Sequence, residues 1–385
     1  MQARSPRRYR WEGLRRNPRT AWVAFLVVGI VLAVLPFLIE NTLGRTWVRV
    51  ADFALLYAIL ALGLNIVVGF AGLLDLGYIA FFSVGAYLYA LLASPQFGIH
   101  LPFWTLLPLG AALAGAFGIL LGTPTLKLRG DYLAIVTLGF GEIIRIFINN
   151  LNAPINITNG PQGLNLIDPV RFGPFSLGQP HKVAGITFSP VQNYYYLFLV
   201  MMLLVVLVSL RLANSRIGRA WVAIREDEVA AESMGINTRN IKLLAFAMGA
   251  SFGGVSGGLF AGLQGFVSPE SFSLTESIMI LCMVVLGGMG HIPGVILGAV
   301  LLTVFPEALS YLGPLQQQLF NRILVDPSDL RMLLFGLALV LAMLFRPAGL
   351  LPARRRRGEL VPEIPTVTEQ EQGDLYDVRH ERAKV

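Results

Sequence analysis

Long apolar stretches recur along this chain, and shorter polar segments separate them. A helix crosses a hydrocarbon core of roughly 30 Å with about 20 apolar residues, so each long stretch is a candidate membrane span. Two candidates, 74–93 and 275–289, are open to being broken or re-entrant helices, because glycines interrupt the first and the second is short. The predicted fold is all-α, a polytopic transmembrane helical bundle of about 10 spans, with about 8–10 possible. The candidate spans are 22–39, 48–68, 74–93, 101–122, 131–149, 193–213, 241–264, 275–289, 291–310 and 331–346.

Composition favours a helical membrane protein. Of the 385 residues, 55% are hydrophobic and 14% are charged, whereas a soluble globular protein is about 25% charged. A transmembrane β-barrel would instead alternate apolar and polar positions in segments of roughly 10 residues. Cys282 is the single cysteine, so no disulfide can form within the chain.

Basic residues concentrate at the two ends of the chain, before the first span and at Arg354–Arg357 after the last one. The positive-inside rule places both ends on the cytoplasmic side of the membrane. The predicted organisation is a basic cytoplasmic arm at 1–20, a transmembrane domain at 21–350 and a cytoplasmic tail at 351–385. The tail is polar without apolar periodicity, so we expect it to be flexible. Basic clusters can also bind nucleic acid, but beside membrane spans the lipid bilayer is the better account, and no nucleic-acid partner is expected.

The same rule assigns the other long polar segments to opposite sides of the membrane. The Lys127–Arg129 loop and the segment 214–240 are expected in the cytoplasm, whereas 150–192 is expected outside, with Arg171 and Lys182 as its only basic residues. The external loop is rich in Pro, Gly and Asn, so we expect it to hold little regular structure. Loops of this length in a compact protein are usually functional or disordered.

The cytoplasmic segment 214–240 has the pattern of a helix at the membrane surface. Ile217, Trp221 and Ile224 recur at spacings of four and three, which is typical of an amphipathic helix. Trp221 suits the interface between lipid and water.

A second short helix is predicted directly after the first. Asp227 can cap a helix that runs through Met234, and Gly235 suits the left-handed conformation that stops it. A loop that only connects two spans needs about two to eight residues. Two capped helices therefore indicate a rigid docking surface on the cytoplasmic face.

Residue patterns for catalysis are missing from the sequence. It contains no Gly-x-x-x-x-Gly-Lys-Ser/Thr phosphate loop, and its four histidines lack metal-ligand spacing, so we expect no enzyme activity, no bound cofactor and no metal site.

Glu142 and Arg145, three residues apart in a predicted span, share a helix face and can pair. They are either a structural pair or a pair that lines a transport pathway. Asp52 and Asp75 are expected close to the membrane interfaces, where the cost of a charge is small.

Glycines at four-residue intervals predict close contacts between helices, because they place small residues along one helix face. Three such stripes occur: Gly249, Gly253 and Gly257; Gly254, Gly258 and Gly262; and Gly290, Gly294 and Gly298.

Part of the cytoplasmic segment resembles the Glu-Ala-Ala-x-x-x-Gly motif of ABC importer permeases, the helix that docks into the ATPase subunit. The similar stretch begins at Val229, which stands where the motif has its glutamate, and Glu228 precedes it. The resemblance implies an ATPase-docking site at Glu228, Ala230, Ala231, Glu232 and Gly235.

Longer stretches resemble the branched-chain amino acid permeases of the LivM type. The similarity runs from about Leu62 to Leu351 and is carried by 72–87, 128–145, 158–164, 225–231, 267–273 and 284–290. It implies a permease domain at 21–350 with 214–240 as a coupling-helix segment.

The family resemblance also implies partners. The chain would act with a second, related permease subunit, two cytoplasmic ATPase subunits that bind ATP and Mg²⁺, and an extracytoplasmic solute-binding protein. The family also transports urea, short amides and other amino acids, so these substrates remain alternatives to leucine, isoleucine and valine. A function of another class, a stand-alone channel or ion-coupled carrier, also stays open. Carriers of that class tend to show membrane-embedded carboxylates or matching broken helices in two halves.

Overall fold

The computed structural model describes residues 18–126, 128, 130–173, 175–183, 186–310, 336–337, 340, 344 and 349–351. Almost all of the predicted arm and tail, Lys127, Arg129 and most of the predicted span 331–346 lie outside this set. The described helices are α1 (Pro18–Leu43), α2 (Arg45–Leu64), α3 (Ile79–Leu92), α4 (Phe103–Thr125), α5 (Asp131–Asn150), α6 (Pro190–Ala213), α7 (Arg216–Glu226), α8 (Glu228–Ser233), α9 (Thr238–Gln264), α10 (Leu274–Gly287) and α11 (Ile292–Ser310).

Helices occupy the predicted spans throughout the described residues. Five of these helical stretches are long and apolar enough to cross a membrane, namely Arg45–Phe70, Phe103–Thr125, Pro190–Ala213, Thr238–Gln264 and Ile292–Ser310. The helices α3 and α10, which the sequence marked as candidates for broken spans, have only 14 residues each. The chain is therefore a mostly helical, multi-pass membrane protein, and a total of about 10 spans stays a prediction.

Helix α9 lies at the centre of the bundle, with α2, α3 and α4 packed around it. Its glycines allow close backbone approach: a Cβ atom at Gly257 would overlap the carbonyl oxygen of Phe82 in α3, and one at Gly254 would overlap Gly110 in α4. The glycines of the third stripe that lie on α11 pack against α10 in the same way. Close contacts between helices are thus confirmed at Gly254, Gly257, Gly294 and Gly298 of the glycine stripes.

Non-helical segments precede the two short helices α3 and α10, and we call them the first and the second break. Helix α2 continues as a π-helical segment, Asn65–Phe70, and residues 71–78 then contain no helix before α3 begins. In the second half of the chain, residues 265–273 precede α10 with only a short strand and a 3₁₀ turn. The first break contacts α10, where the Ser277 hydroxyl donates a hydrogen bond to the Leu76 carbonyl at 2.6 Å. Non-helical backbone is tolerated in a membrane protein when other parts of the protein surround it in this way.

Two aspartates of the predicted spans are buried inside the protein. Asp52 and Asp75 are both fully buried, and their position close to the membrane interfaces stays a prediction. The break before α3 explains Asp75, because the non-helical segment folds back into the bundle. Its Oδ1 accepts a hydrogen bond from the backbone N–H of Gly77 at 2.9 Å and helps to shape the break.

The loop 150–192 contains more regular structure than predicted. Its strands are β1 (Leu164–Asn165), β2 (Arg171–Phe172), β3 (Phe175–Ser176), β4 (His181–Val183) and β5 (Ile186–Phe188), and β6 (Phe266–Val267) follows α9. Antiparallel pairs form between β1 and β6, β2 and β3, and β4 and β5. Short strand pairs supply partners to backbone groups that a proline-rich segment cannot satisfy as helix. We call this side of the bundle the loop end.

Helix α2 connects the loop end to the opposite end of the bundle. Near its start, Arg49 donates a hydrogen bond to the Gln264 side chain beside β6, at 2.5 Å. Its π-helical continuation ends against α7. We call the segment 214–240 the knob, and its side of the bundle the knob end.

Candidate coupling site

The knob consists of the two capped helices that the sequence predicted. The Ser215 hydroxyl accepts a hydrogen bond from the Gly218 N–H at 3.1 Å and starts α7. Asp227 Oδ1 accepts from the N–H groups of Val229 and Ala230 at 2.9 and 3.0 Å and starts α8. These side-chain caps satisfy backbone donors that have no partner within the helix. The helix α8 ends at Ser233, one residue earlier than predicted.

Gly235 follows α8 with a φ angle of +83°. This left-handed conformation is strained for residues with a Cβ atom, so glycine is the residue that stops the helix at low cost. The predicted stop is confirmed. Gly235 is exposed, and a Cβ atom added there would meet only open space.

The apolar face of α7 packs inward against the bundle. Trp221 and Ile224 are buried, and the Trp221 indole donates a hydrogen bond to the Ile241 carbonyl in α9 at 2.7 Å. The prediction that Trp221 lies at the lipid interface is wrong, because its ring and its N–H both find partners within the protein. The predicted amphipathic pattern itself is confirmed for these two positions, and Ile217 is half-buried.

An ion pair fixes α8 to α9. Glu228 and Lys242 approach to 2.5 Å, and the lysine side chain is almost fully buried. A buried ammonium needs a partner, because leaving it unpaired costs its full desolvation free energy. Glu228, one of the implied docking residues, therefore has a contact within this chain.

The outer face of α8 remains open. Val229 is 67% exposed and Met234 is 84% exposed. Ala230 and Glu232, two of the implied docking residues, are exposed beside them, whereas Ala231 is buried against the chain. Exposed apolar side chains rimmed by polar groups are typical of a protein-docking surface.

Arg225 connects the knob to the broken spans. Its guanidinium donates a hydrogen bond to the Gly69 carbonyl, the penultimate residue of the π-helical segment, at 2.6 Å. Its stem lies so close to Gly72, where the first break begins, that a Cβ atom there would overlap it. On the same segment, Asn65 Oδ1 accepts from the Gly290 N–H in the turn after α10 at 2.8 Å. A movement of α7 would thus act on the first break and on the turn after α10.

This role of Arg225 does not follow from the sequence. A basic residue in a cytoplasmic helix reads as an ordinary solvated charge. The sequence features that relate to this contact are the apolar Ile224 directly before Arg225, and Gly69 and Gly72 directly after the predicted span 48–68.

Glu142 and Arg145 form the pair that the sequence predicted. Two nitrogens of Arg145 contact the Glu142 carboxylate, Nε at 3.0 Å and Nη2 at 2.5 Å. Arg145 Nη1 also lies 3.6 Å from Glu270, in the break before α10. Glu142 lines a small cavity of about 80 Å³ between α5 and the two breaks. Among the described residues, no group of His, Cys, Asp and Glu side chains is arranged to hold a metal ion.

Comparison with known proteins identifies the family. Residues 46–343 match the family described as branched-chain amino acid transport system / permease component. Over 344 residues the chain is 46% identical to the high-affinity branched-chain amino acid transport system permease protein LivM of Escherichia coli (strain K12). The aligned residues cover 86% of this chain and 75% of that relative. This chain belongs to that permease family.

More distant members extend the comparison. The permease is 28% identical over 339 residues to a probable LivM protein of Methanocaldococcus jannaschii, covering 78% of this chain and 91% of that relative. It is also 28% identical over 262 residues to the LivH permease protein of Escherichia coli (strain K12), covering 66% of this chain and 81% of LivH. No solved structure matches the chain. The resemblance to the LivM type is confirmed, and the matched residues include the knob, both breaks and the Glu142–Arg145 pair.

Proposed function

We propose that this permease is a membrane subunit of an ATP-binding-cassette importer for the branched-chain amino acids leucine, isoleucine and valine. The observation that carries the proposal is the 46% identity to the LivM protein over 86% of the chain. The open face of α8 supports it, because an importer permease without its own ATP site needs a surface that receives an ATPase.

The proposed complex contains four further subunits. A second permease of the LivH type completes the membrane part, two ATPase subunits bind ATP and Mg²⁺ and dock on the cytoplasmic face, and a solute-binding protein delivers the amino acid from outside. The basic residues at both termini support an orientation with the knob end in the cytoplasm of a bacterial-type inner membrane. The loop end then faces the solute-binding protein.

In the proposed mechanism, the knob converts ATPase movement into alternating access. Closure of the ATPase pair on ATP displaces α8, and α7 moves with it because Asp227 joins the two helices. Arg225 transmits the displacement to Gly69, just before the first break, and Asn65 of the same segment passes it to Gly290 in the turn after α10. The closed and the open ATPase pair each favour one of two states of the permease. ATP binding and hydrolysis therefore shift the population between outward-open and inward-open forms.

Reconstitution of the five-component importer tests this function. The complete complex in proteoliposomes should take up labelled leucine only when ATP and the solute-binding protein are both present. Labelled urea and acetamide in parallel assays test the other substrates of the family. Leucine flux through the purified chain alone would contradict the proposal and favour a stand-alone channel or ion-coupled carrier.

A further inference from the structure

The cavity beside the Glu142–Arg145 pair lies where three elements meet. Leu138 of α5 forms one wall, Leu76 and Ile79 at the first break form another, and Phe272 and Leu274 at the second break close it. These five side chains are apolar, so the interior of the cavity favours an aliphatic group over water. Its volume of about 80 Å³ suits part of a small ligand, such as one side chain, and not a whole large molecule.

Both signs of charge lie beside the cavity, at what we call its mouth. Glu142 is one of the lining residues, whereas Arg145 and Glu270 lie outside the lining. Arg145, one helical turn further on, lies between the carboxylates of Glu142 and Glu270, at 2.5 and 3.6 Å. Its guanidinium retains donors that can bind another carboxylate, because arginine has five N–H groups in a planar fork.

We propose that this cavity and its charged mouth form the subsite for the transported amino acid, with the aliphatic side chain in the cavity. The α-carboxylate binds Arg145, and the α-ammonium binds Glu142 or Glu270. The inference rests on the proposed function, because it takes an α-amino acid as the cargo. It assigns substrate-contacting residues, which the family resemblance alone does not do.

The mouth offers a partner to each end of a zwitterion. Arg145 can pair with the α-carboxylate, and Glu142 or Glu270 can pair with the α-ammonium. Water stabilises the second carboxylate, because the Glu270 side chain is 72% exposed. An alkylamine would leave the free donors of Arg145 unused, and a fatty acid would offer nothing to Glu142 or Glu270.

The position of the cavity also fits a site that opens and closes. It touches the breaks of two spans, one in each half of the chain, and transport sites are typically formed by such discontinuous helices near the middle of the membrane. The first break follows directly on the π-helical segment that Arg225 bonds, and Asn65 of that segment bonds Gly290 in the turn at the far end of α10. The elements that Arg225 would move are therefore the elements that form the subsite.

The decisive experiment uses the complete complex with solute-binding protein and ATP, and measures the initial rate of labelled leucine uptake. Glu142→Gln and Arg145→Gln should each lower uptake by about tenfold or more, the effect of losing one charge-assisted hydrogen bond to the cargo. The matched control is Arg45→Gln, which removes the arginine of the Glu40–Arg45 pair at the loop end and should leave uptake unchanged. The amount of each variant in the membrane is compared on the same samples.

A charge exchange separates the subsite from a purely structural ion pair. The double variant Glu142→Arg/Arg145→Glu restores an ion pair on the same helix face but reverses its polarity relative to the cavity. The subsite predicts that uptake remains low. Recovery to near the wild-type rate would overturn the proposal, as would wild-type uptake in the two single variants.

Direct labelling provides a second, independent measurement. A diazirine analogue of leucine, activated by light during turnover of the wild-type complex, should label peptides that contain Leu138 or Phe272, and excess leucine should prevent this. Labelling of this chain only at other positions would overturn the subsite.

If the wild-type complex transports no leucine at all, the proposed function fails and the subsite fails with it. If the wild-type complex and the variants all transport leucine, the subsite alone fails.

Discussion

At the scale of single residues, the knob separates positions that face inward from positions that face outward. Glu228 and Ala231, both implied by the docking motif, contact the rest of the chain, whereas Glu232, Val229 and Met234 are open. Val229 occupies the place of the motif's glutamate and contributes an exposed apolar surface instead. We therefore expect the ATPase contact to depend on apolar burial more than on a carboxylate.

Met234→Glu tests the apolar contact. A charge buried at the interface would lose its hydration without gaining a partner, so the ATPase subunits should co-purify with this variant about tenfold less than with wild type. The matched control is Ile155→Glu, because Ile155 is 70% exposed but lies in the loop 150–192 at the other end of the bundle. Equal recovery of ATPase with Met234→Glu and wild type would contradict the docking role of this face.

Glu228→Gln tests the internal ion pair. It leaves the buried Lys242 ammonium without its carboxylate, so the melting temperature of the purified complex should fall, corresponding to roughly 1–3 kcal/mol of stability. Glu232→Gln, one helical turn away and exposed, provides the control and should leave the melting temperature unchanged. A lower melting temperature in both variants would mean that the effect does not come from the pair with Lys242.

At the scale of elements, the starts and ends of helices were predictable from the sequence, whereas contacts between distant segments were not. Asp227 and Gly235 signal the start and end of α8 through their own backbone preferences, and these signals were correct. Apolar runs located the helices, because a bilayer demands length and hydrophobicity. Trp221 shows the limit: its pattern gave an amphipathic helix, but only the fold decides that α9, and not lipid, covers the ring.

The broken spans show the same limit for the candidate site. Glycines and a short apolar run marked both segments as suspect, yet nothing local predicts that Leu76 and Ser277 meet. That contact joins residues about two hundred positions apart and depends on the packing of the whole bundle. The Glu142–Arg145 pair was predictable from its spacing, whereas the cavity beside it was not.

Gly257→Ala tests the close packing of α9. The added methyl group would overlap the Phe82 carbonyl, so the melting temperature should fall with a cost of about 1–3 kcal/mol. Gly139→Ala is the matched control, because Gly139 lies in α5 with no atom within 4 Å of the added Cβ. Alanine favours a helix over glycine by about 1 kcal/mol, so the control should be neutral or stabilising. A stabilising Gly257→Ala would contradict the packing of α9 against α3.

At the scale of the whole molecule, the proposed coupling runs from one end of the bundle to its interior. The open face of α8 receives the ATPase, α7 transmits the movement, and Arg225 is the described side chain of the knob that bonds the π-helical end of α2. The breaks beyond it form the proposed subsite. This arrangement predicts that loss of the Arg225 hydrogen bond weakens coupling while the ATPase contact and the transport path remain.

The most direct measurement is the number of leucine molecules taken up per ATP hydrolysed, in proteoliposomes with the complete complex and the solute-binding protein. Arg225→Gln should lower this ratio by about fivefold or more, because ATP hydrolysis continues while its link to the breaks is weakened. Arg219→Gln is the control, since Arg219 lies on the same helix and donates its hydrogen bond to Asn214 within the knob. An unchanged ratio in Arg225→Gln, or an equal fall in Arg219→Gln, would contradict coupling through Arg225.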